Sequence, residues 1–294
     1  MTPREKPDLV IGCNHGYPWQ KIAPFVESLR QTGFTGDLVL FTGGLSEATE
    51  AEIRSHGVLT RPLNCPRLGG SDRWMRHWPT LRRLPQAVKL KLLPCIAPLG
   101  SRRFFLYQRF LENNASRYRR VLLTDIRDVV FQKNPFDADW PRGLHVFAED
   151  ASHTISSRPI NADWVRRAFG EDGFRQLGSL PILCAGTILG DLPSLQDFLQ
   201  HFCRTCTEAR QLDSEGIDQG IFNMAVRTYR GQQVFQHPNG SSAVLTMAIM
   251  SGDDLQLNSE GYLTQPDGRI IPVLHQFDRH PEWLPKIKVL QRPG

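Results

Sequence analysis

Lysine is scarce in this chain. Of its 35 basic residues 28 are arginine and seven are lysine, set against 30 Asp and Glu for a formal net charge of +5. Long apolar runs are absent too. The best candidate, Leu90 to Leu99, is broken by Lys91, Pro94 and Pro98, well short of the roughly 18 residues that a membrane span needs. The six cysteines (13, 65, 95, 184, 203 and 206) have no framework spacing, which excludes a disulfide scaffold and fits a reducing compartment. Met1 to Asp8 carries charges and two prolines before the first apolar run, so it is no secretory signal, and the expected location is cytoplasmic. Gly43-Gly44 and Gly69-Gly70 lack the context of a phosphate loop or a dinucleotide fingerprint, and no serine-hydrolase, zincin or kinase signature appears. What remains is ample material for a core: 294 residues, 40% of them hydrophobic and 9% aromatic, which excludes a disordered chain.

Apolar periodicity alternates along the chain between two patterns. Asp8 to Cys13 reads as a buried strand, followed by a helix with Ile22, Phe25, Val26 and Leu29 on one face. Asp37 to Thr42 is a second strand, Ser46 is placed to cap an acidic helix from Glu47 to His56, and Val58 to Leu63 is a third strand. After an unassigned stretch from Asn64 to Gly100, a helix is predicted from Arg102 to about Tyr118, striped by Phe104, Tyr107, Leu111, Ala115 and Tyr118. Strands at 120–124, 144–148 and 182–190 complete an α/β pattern with a mainly parallel sheet, whose ligand sites lie at strand C-termini. No linker, repeat or low-complexity segment interrupts it. One domain over 1–294 is expected, built of two abutting halves, 1–150 and 151–294.

Charge is unevenly spread. Residues 61–120 hold 14 Lys and Arg against Asp72 and Glu112, a local net of +12, so the rest of the chain sums to −7. Such a segment can gather an anionic ligand, with Arg102 and Arg103 at the start of the expected helix as phosphate contacts. A solvated helix face is the plainer explanation for any single arginine there. Nucleic acid is a poor fit, because the aromatic interleaving of a stacking platform is thin.

The sharpest chemical feature is Thr124-Asp125-Ile126-Arg127-Asp128, with Asn134-Pro135-Phe136 shortly after it. A buried strand that delivers carboxylates at its C-terminal end presents hard oxygen ligands suited to Mn²⁺ or Mg²⁺. An Asp–Arg–Asp turn closed by its own ion pair would read the same way in sequence. Cys203-x-x-Cys206 falls on the apolar side of a helix shared with Leu195, Phe198, Leu199 and Phe202, so both cysteines are read as small core hydrophobes.

The strand and acidic loop resemble those of GT-A-type glycosyltransferases, nucleotide-diphospho-sugar transferases in which an apolar strand leads to D-x-D and an N-P-F-like turn. Further pieces resemble that family in the same order: Tyr17-Pro18-Trp19, Cys184 to Gly190, Ile217 to Asn223, and His275 to Pro281. The resemblance implies a Rossmann-like GT-A fold and metal-assisted hexosyl or pentosyl transfer from a nucleotide sugar, UDP-linked by preference. The acceptor is open: glycan, protein or small molecule. It further implies a metal held by Asp128 and His275 with Asp125, and donor contacts from Asn14, Tyr17, Arg102, Arg103, Asp125, Arg127, Gly186 and Arg279. Asp218 and Gln219 fall at the catalytic position, in a pattern nearer the retaining branch than the inverting one. Two departures stand out: the acidic motif is one residue wider, D-x-x-D, and Cys184 stands where the family has Asn. A sugar-phosphate nucleotidyltransferase would need an arginine in Gly12 to Tyr17, which is absent. A non-catalytic sugar- or anion-binding protein is the remaining alternative.

Overall fold

The computed structural model describes residues 6–63, 75–212, 216–251, 253 and 255–291. Cys65, Gly69-Gly70 and the first part of the unassigned stretch lie outside the described residues. The chain begins β1 (Leu9–His15), α1 (Trp19–Gln31), β2 (Asp37–Gly43), α2 (Glu47–Ser55) and β3 (Leu59–Pro62). Helices α3 (Trp78–Leu81), α4 (Gln86–Ile96) and α5 (Leu99–Glu112) follow, then strands β4 (Arg120–Thr124), β5 (Val129–Phe131) and β6 (Leu144–Ala148). Helix α6 (Pro159–Leu177), β7 (Leu183–Asp191), α7 (Leu192–Glu208), α8 (Ile217–Thr228), β8 (Val234–His237), β9 (Val244–Thr246) and β10 (Val273–His275) complete it.

Seven strands form one mixed, mostly parallel sheet in the order β3-β2-β1-β4-β7-β6-β8, with β7 antiparallel to both of its neighbours. Period-2 geometry explains why Leu9, Val10 and Ile11 of β1 are all apolar, since both faces are covered. Leu9 and Ile11 face the cluster under α5, α7 and α8, while Val10 faces the cluster under α1 and α2. Strand order reverses between β1, which leads to β2, and β4 on its other side; such switch points open a crevice beyond the strand C-termini. A second sheet, β5-β10-β9, sits beside it. There β10 runs antiparallel to β5, pairing His275 with Val129. Buried Gln132 ties this region together: its amide donates to the carbonyls of Leu263 and Ile271 and accepts from the Leu263 N–H. No helix among the described residues is long and apolar enough to cross a membrane.

Ser46 caps α2 as expected, accepting from the Thr49 N–H at 3.2 Å, and Cys203 and Cys206 are buried in the core. The helix expected from Arg102 to Tyr118 is displaced. It starts at Leu99, behind Pro98, and stops at Glu112, where the Asn114 amide takes the Phe110 carbonyl. A side chain that satisfies a final-turn carbonyl ends a helix. Ala115 is therefore exposed, and Tyr118 reaches the core only after the turn, its hydroxyl donating to Asp37 at 2.9 Å.

Candidate metal centre

Strand β4 delivers Asp125, the turn after it delivers Asp128, and β10 brings in His275 from the far end of the sequence. One ligand atom from each lies within 4.8 Å of the others. His275 is 1% exposed. Its Nδ1 faces Cys184 Sγ at 3.4 Å. Its Nε2 is buried 3.4 Å from Asp125 Oδ2 and makes no hydrogen bond. An imidazole nitrogen held in that state beside two carboxylates is a ligand atom in waiting. The backbone is shaped to allow the approach. A β-carbon at Gly186 would stand 2.5 Å from His275 Cε1 and 2.6 Å from Asp125 Oδ2, so no other residue fits there unshifted.

Two guanidinium groups brace the carboxylates. Arg103 binds Asp125 and reaches Asp218 at 3.3 Å. Arg127 bridges Asp128 at 2.8 Å and Asp278 at 2.5 Å. Burial would push the Asp125 carboxyl up, yet Arg103 and His275 outweigh it and hold it well below the usual carboxylate range. Asp128 moves the other way: burial raises it, and Asp125 and Asp278 add to the rise against His275 and Arg127. Burial likewise raises Asp218 and Glu149. Four carboxyl groups thus share two arginines, and this excess, with one imidazole nitrogen, suits a hard divalent cation such as Mn²⁺ or Mg²⁺.

Beside the triad opens a cavity of about 200 Å³, lined by Asp125, Glu149, Trp164, Cys184, Gly186, Asp218, Gln219 and Gln276 among others. Its floor is fixed by helix α8, docked on β7 through residues one turn apart. Asn223 brackets the Leu183 backbone, accepting from its N–H at 3.0 Å and donating to its carbonyl at 2.9 Å. Gln219 accepts from the Ala185 N–H at 2.8 Å and donates to Glu149 Oε1 at 2.7 Å.

The residues singled out in the sequence sort into three groups. Asp125, Asp128, His275, Gly186, Asp218 and Gln219 converge on the triad and cavity. Tyr17, 38% exposed beyond β1, lies within electrostatic reach of Arg127, and Arg279 is exposed beside Asp278. Others are engaged within the fold. Asn14 is fully buried and shapes the loop, its amide donating to the Tyr17 carbonyl and accepting from the Tyr17 N–H. Arg103 sits in the second turn of α5, not at its N-terminus, and is occupied by carboxylates; Arg127 is occupied likewise. Arg102 is half-buried, and its Nε lacks a partner. His280 is held by the Met247 carbonyl at 2.8 Å, away from the triad.

Three cavity residues escaped the sequence reading. Glu149 directly follows β6, and nothing in its local pattern marks it. Trp164 lies within α6, where it reads as one more apolar helical position. Gln276 stood inside the flagged C-terminal run; it has φ 57°, the one non-glycine residue with positive φ among those described, and its side-chain oxygen is buried without a partner. Local strain of this kind gathers at functional sites.

No protein-family model matches the chain, and no curated protein matches it. Two of the solved structures that are similar to it illustrate the likeness. One is core-mannan synthase A from Aspergillus fumigatus in its Mn/GDP form, 10% identical over 77% of this chain and 71% of that one, with a TM-score of 0.42. The other is the galactosyltransferase LgtC in complex with donor and acceptor sugar analogs, 15% identical over 92% of this chain and 87% of that one, with a TM-score of 0.48.

Proposed function

We propose that the protein is a GT-A-type glycosyltransferase that moves a sugar from a nucleotide-diphosphate donor, UDP-linked by preference, with the help of Mn²⁺ or Mg²⁺. One observation carries this reading: Asp125, Asp128 and His275 meet at the C-terminal edge of β4, at the strand-order switch point, with a ring-sized cavity beside them. At about 200 Å³ the cavity is smaller than the roughly 300–1,000 Å³ of a site for a whole drug-sized ligand. It suits one sugar ring, with the nucleotide lying outside along Tyr17.

In this reading Asp128, Asp125 and His275 hold the cation, which when bound neutralises charge developing on the leaving diphosphate. Arg103 keeps Asp125 and Asp218 apart and oriented toward the ring. Arg127 steadies Asp128, so phosphate contact falls to Arg102 and Arg279. Gln219 fixes the Glu149 carboxyl and the Ala185 backbone against the sugar, a preorganisation that needs no rearrangement during reaction. Transfer with retention follows the Asp218–Gln219 resemblance. A second reading, inversion, is favoured by Glu149. It is the cavity carboxyl bonded to an amide rather than to an arginine, and burial raises it in the direction that suits a general base. The anomeric configuration of the first-formed product, followed by proton NMR, separates the two.

The test is a thermal-shift panel of nucleotide sugars with and without Mn²⁺. One donor is expected to raise the melting temperature only when the metal is present, and Asp128→Asn is expected to abolish that rise. If no donor stabilises the protein under either condition, the transferase reading fails.

A further inference from the structure

Several arginines of the fold are matched to carboxylates, among them Arg103 to Asp125, Arg117 to Asp37, Arg120 to Asp8 and Arg127 to Asp128. One corner departs from this. Residues 75–98 carry Arg76, Arg82, Arg83, Lys89 and Lys91 and no Asp or Glu at all. Lys89 is used to hold the Thr207 carbonyl at 2.7 Å. Arg76, Arg82, Arg83 and Lys91 form no ion pair among the described residues, and all four are exposed.

The same corner leaves apolar groups in water. Residues 82–88 are exposed without a break. Leu84, just before α4, and Val88, in its first turn, are 36% and 39% exposed. They are two of the four large hydrophobic side chains left exposed among the described residues, and Arg82 and Arg83 adjoin them. The platform beneath is firm. Trp78 donates to the Ala209 carbonyl at 3.0 Å and Gln86 to Thr207 at 3.3 Å, while α4 packs on α5 and α7.

We propose that this corner docks the protein on an anionic bilayer surface, Arg76, Arg82, Arg83 and Lys91 facing the headgroups and Leu84 and Val88 entering the interface. Charge complementarity points to an anionic partner, and each basic residue near such a surface contributes to the attraction. The exposed aliphatic pair selects lipid over a polyanion, because an apolar side chain gains only where an apolar phase receives it, as in interfacial helices. A nucleic acid or acidic polysaccharide rewards aromatic stacking or hydrogen bonding instead, and the exposed stretch 82–88 holds no aromatic residue. This proposal stands apart from the transferase reading and needs no residue of the cavity.

The experiment is co-sedimentation of the full chain with vesicles of phosphatidylcholine alone and of phosphatidylcholine mixed with phosphatidylglycerol, at low and high salt. Binding is expected to the mixed vesicles and to weaken as salt rises. The double variant Arg82→Ser/Arg83→Ser should bind about 25-fold less, at about fivefold per cation lost. Leu84→Ser/Val88→Ser should bind several-fold less. All four side chains are exposed, so both variants should keep the wild-type melting temperature and the donor-dependent thermal shift. Absence of binding to the mixed vesicles overturns the proposal. So does vesicle binding unaffected by the aliphatic pair, together with heparin retention that falls in the arginine variant, a result that assigns the corner to a soluble polyanion.

Discussion

Two histidine clusters in this molecule, one buried and one partly buried, have opposite fates. His275 sits against Asp125, Asp128 and Cys184 with one nitrogen unpartnered. Burial alone would lower it, but Cys184 and Asp125 raise it well above the ordinary histidine value. His145 and His237 lie in an aromatic stack on β6 and β8 with Trp140, Phe147 and Phe235. Both ring nitrogens of His145 are hydrogen-bonded. His145 Nε2 donates to the Pro141 carbonyl at 2.9 Å, which leaves the neutral ring's Nδ1 to accept from His237 Nε2 at 3.0 Å. Burial lowers both, and His237, with His145 beside it, falls to about 4. The lesson is that burial alone does not set a histidine's chemistry; the groups its nitrogens face do, Asp125 for His275 and a second imidazole for His145.

Substitution can test that contrast, and the largest effect belongs to His275. His275→Ala should lower transfer by at least about 100-fold, the scale of losing one electrostatic contact to the transition state. His237→Phe should leave turnover of the same donor unchanged; equal losses in both variants would erase the distinction. Gly186→Ala forces a methyl group against His275 and Asp125. It should cost about 1–3 kcal/mol in chemical denaturation and abolish the metal-dependent thermal shift. Cys184→Ala removes the Nδ1 partner of His275 and should weaken Mn²⁺ binding about tenfold by calorimetry, the lower end for a group that orients a metal ligand. Cys184→Ser, which keeps a partner there, should recover most of it.

The smallest effect concerns the aromatic stack. His237→Phe leaves His145 Nδ1 without a donor and should cost about 1 kcal/mol near neutrality. Because the folded-state value of His237 is depressed, the unfolded chain binds more protons between about pH 4 and 6.5. Stability is therefore complete above that window and is lost as pH falls through it. The melting temperature of the wild type should climb from pH 4 to 6.5. In His237→Phe the climb should be shallower, and equal slopes would mean that the pair does not govern the acid limb.

Legibility followed locality. β1, β2 and β4 could be read because apolar runs bounded by turn residues need no partner to be recognised, and Ser46 declared its own cap. The end of α5 could not be read. Apolar spacing continued through Ala115 and Tyr118, while the decisive event was one amide of Asn114 taking a carbonyl. Asp125, Asp128 and His275 were legible as types at strand ends. The occupation of Arg103 by Asp125 and Asp218 was not, since that contact joins α5, β4 and α8 across 115 residues. Glu149 was invisible for a related reason: an acidic residue after a strand looks like any solvated turn until Gln219 is seen to hold it.

The small sheet β5-β10-β9 has a consequence for biosynthesis. Asp125 and Asp128 leave the ribosome well over a hundred residues ahead of His275, which arrives on the strand that pairs with β5. A nascent chain can therefore lay down β1 to β4 and hold two carboxylates with no third ligand. The three groups meet only when β10 pairs with β5, so capture of a cation would follow the docking of that strand rather than guide the folding of the first sheet.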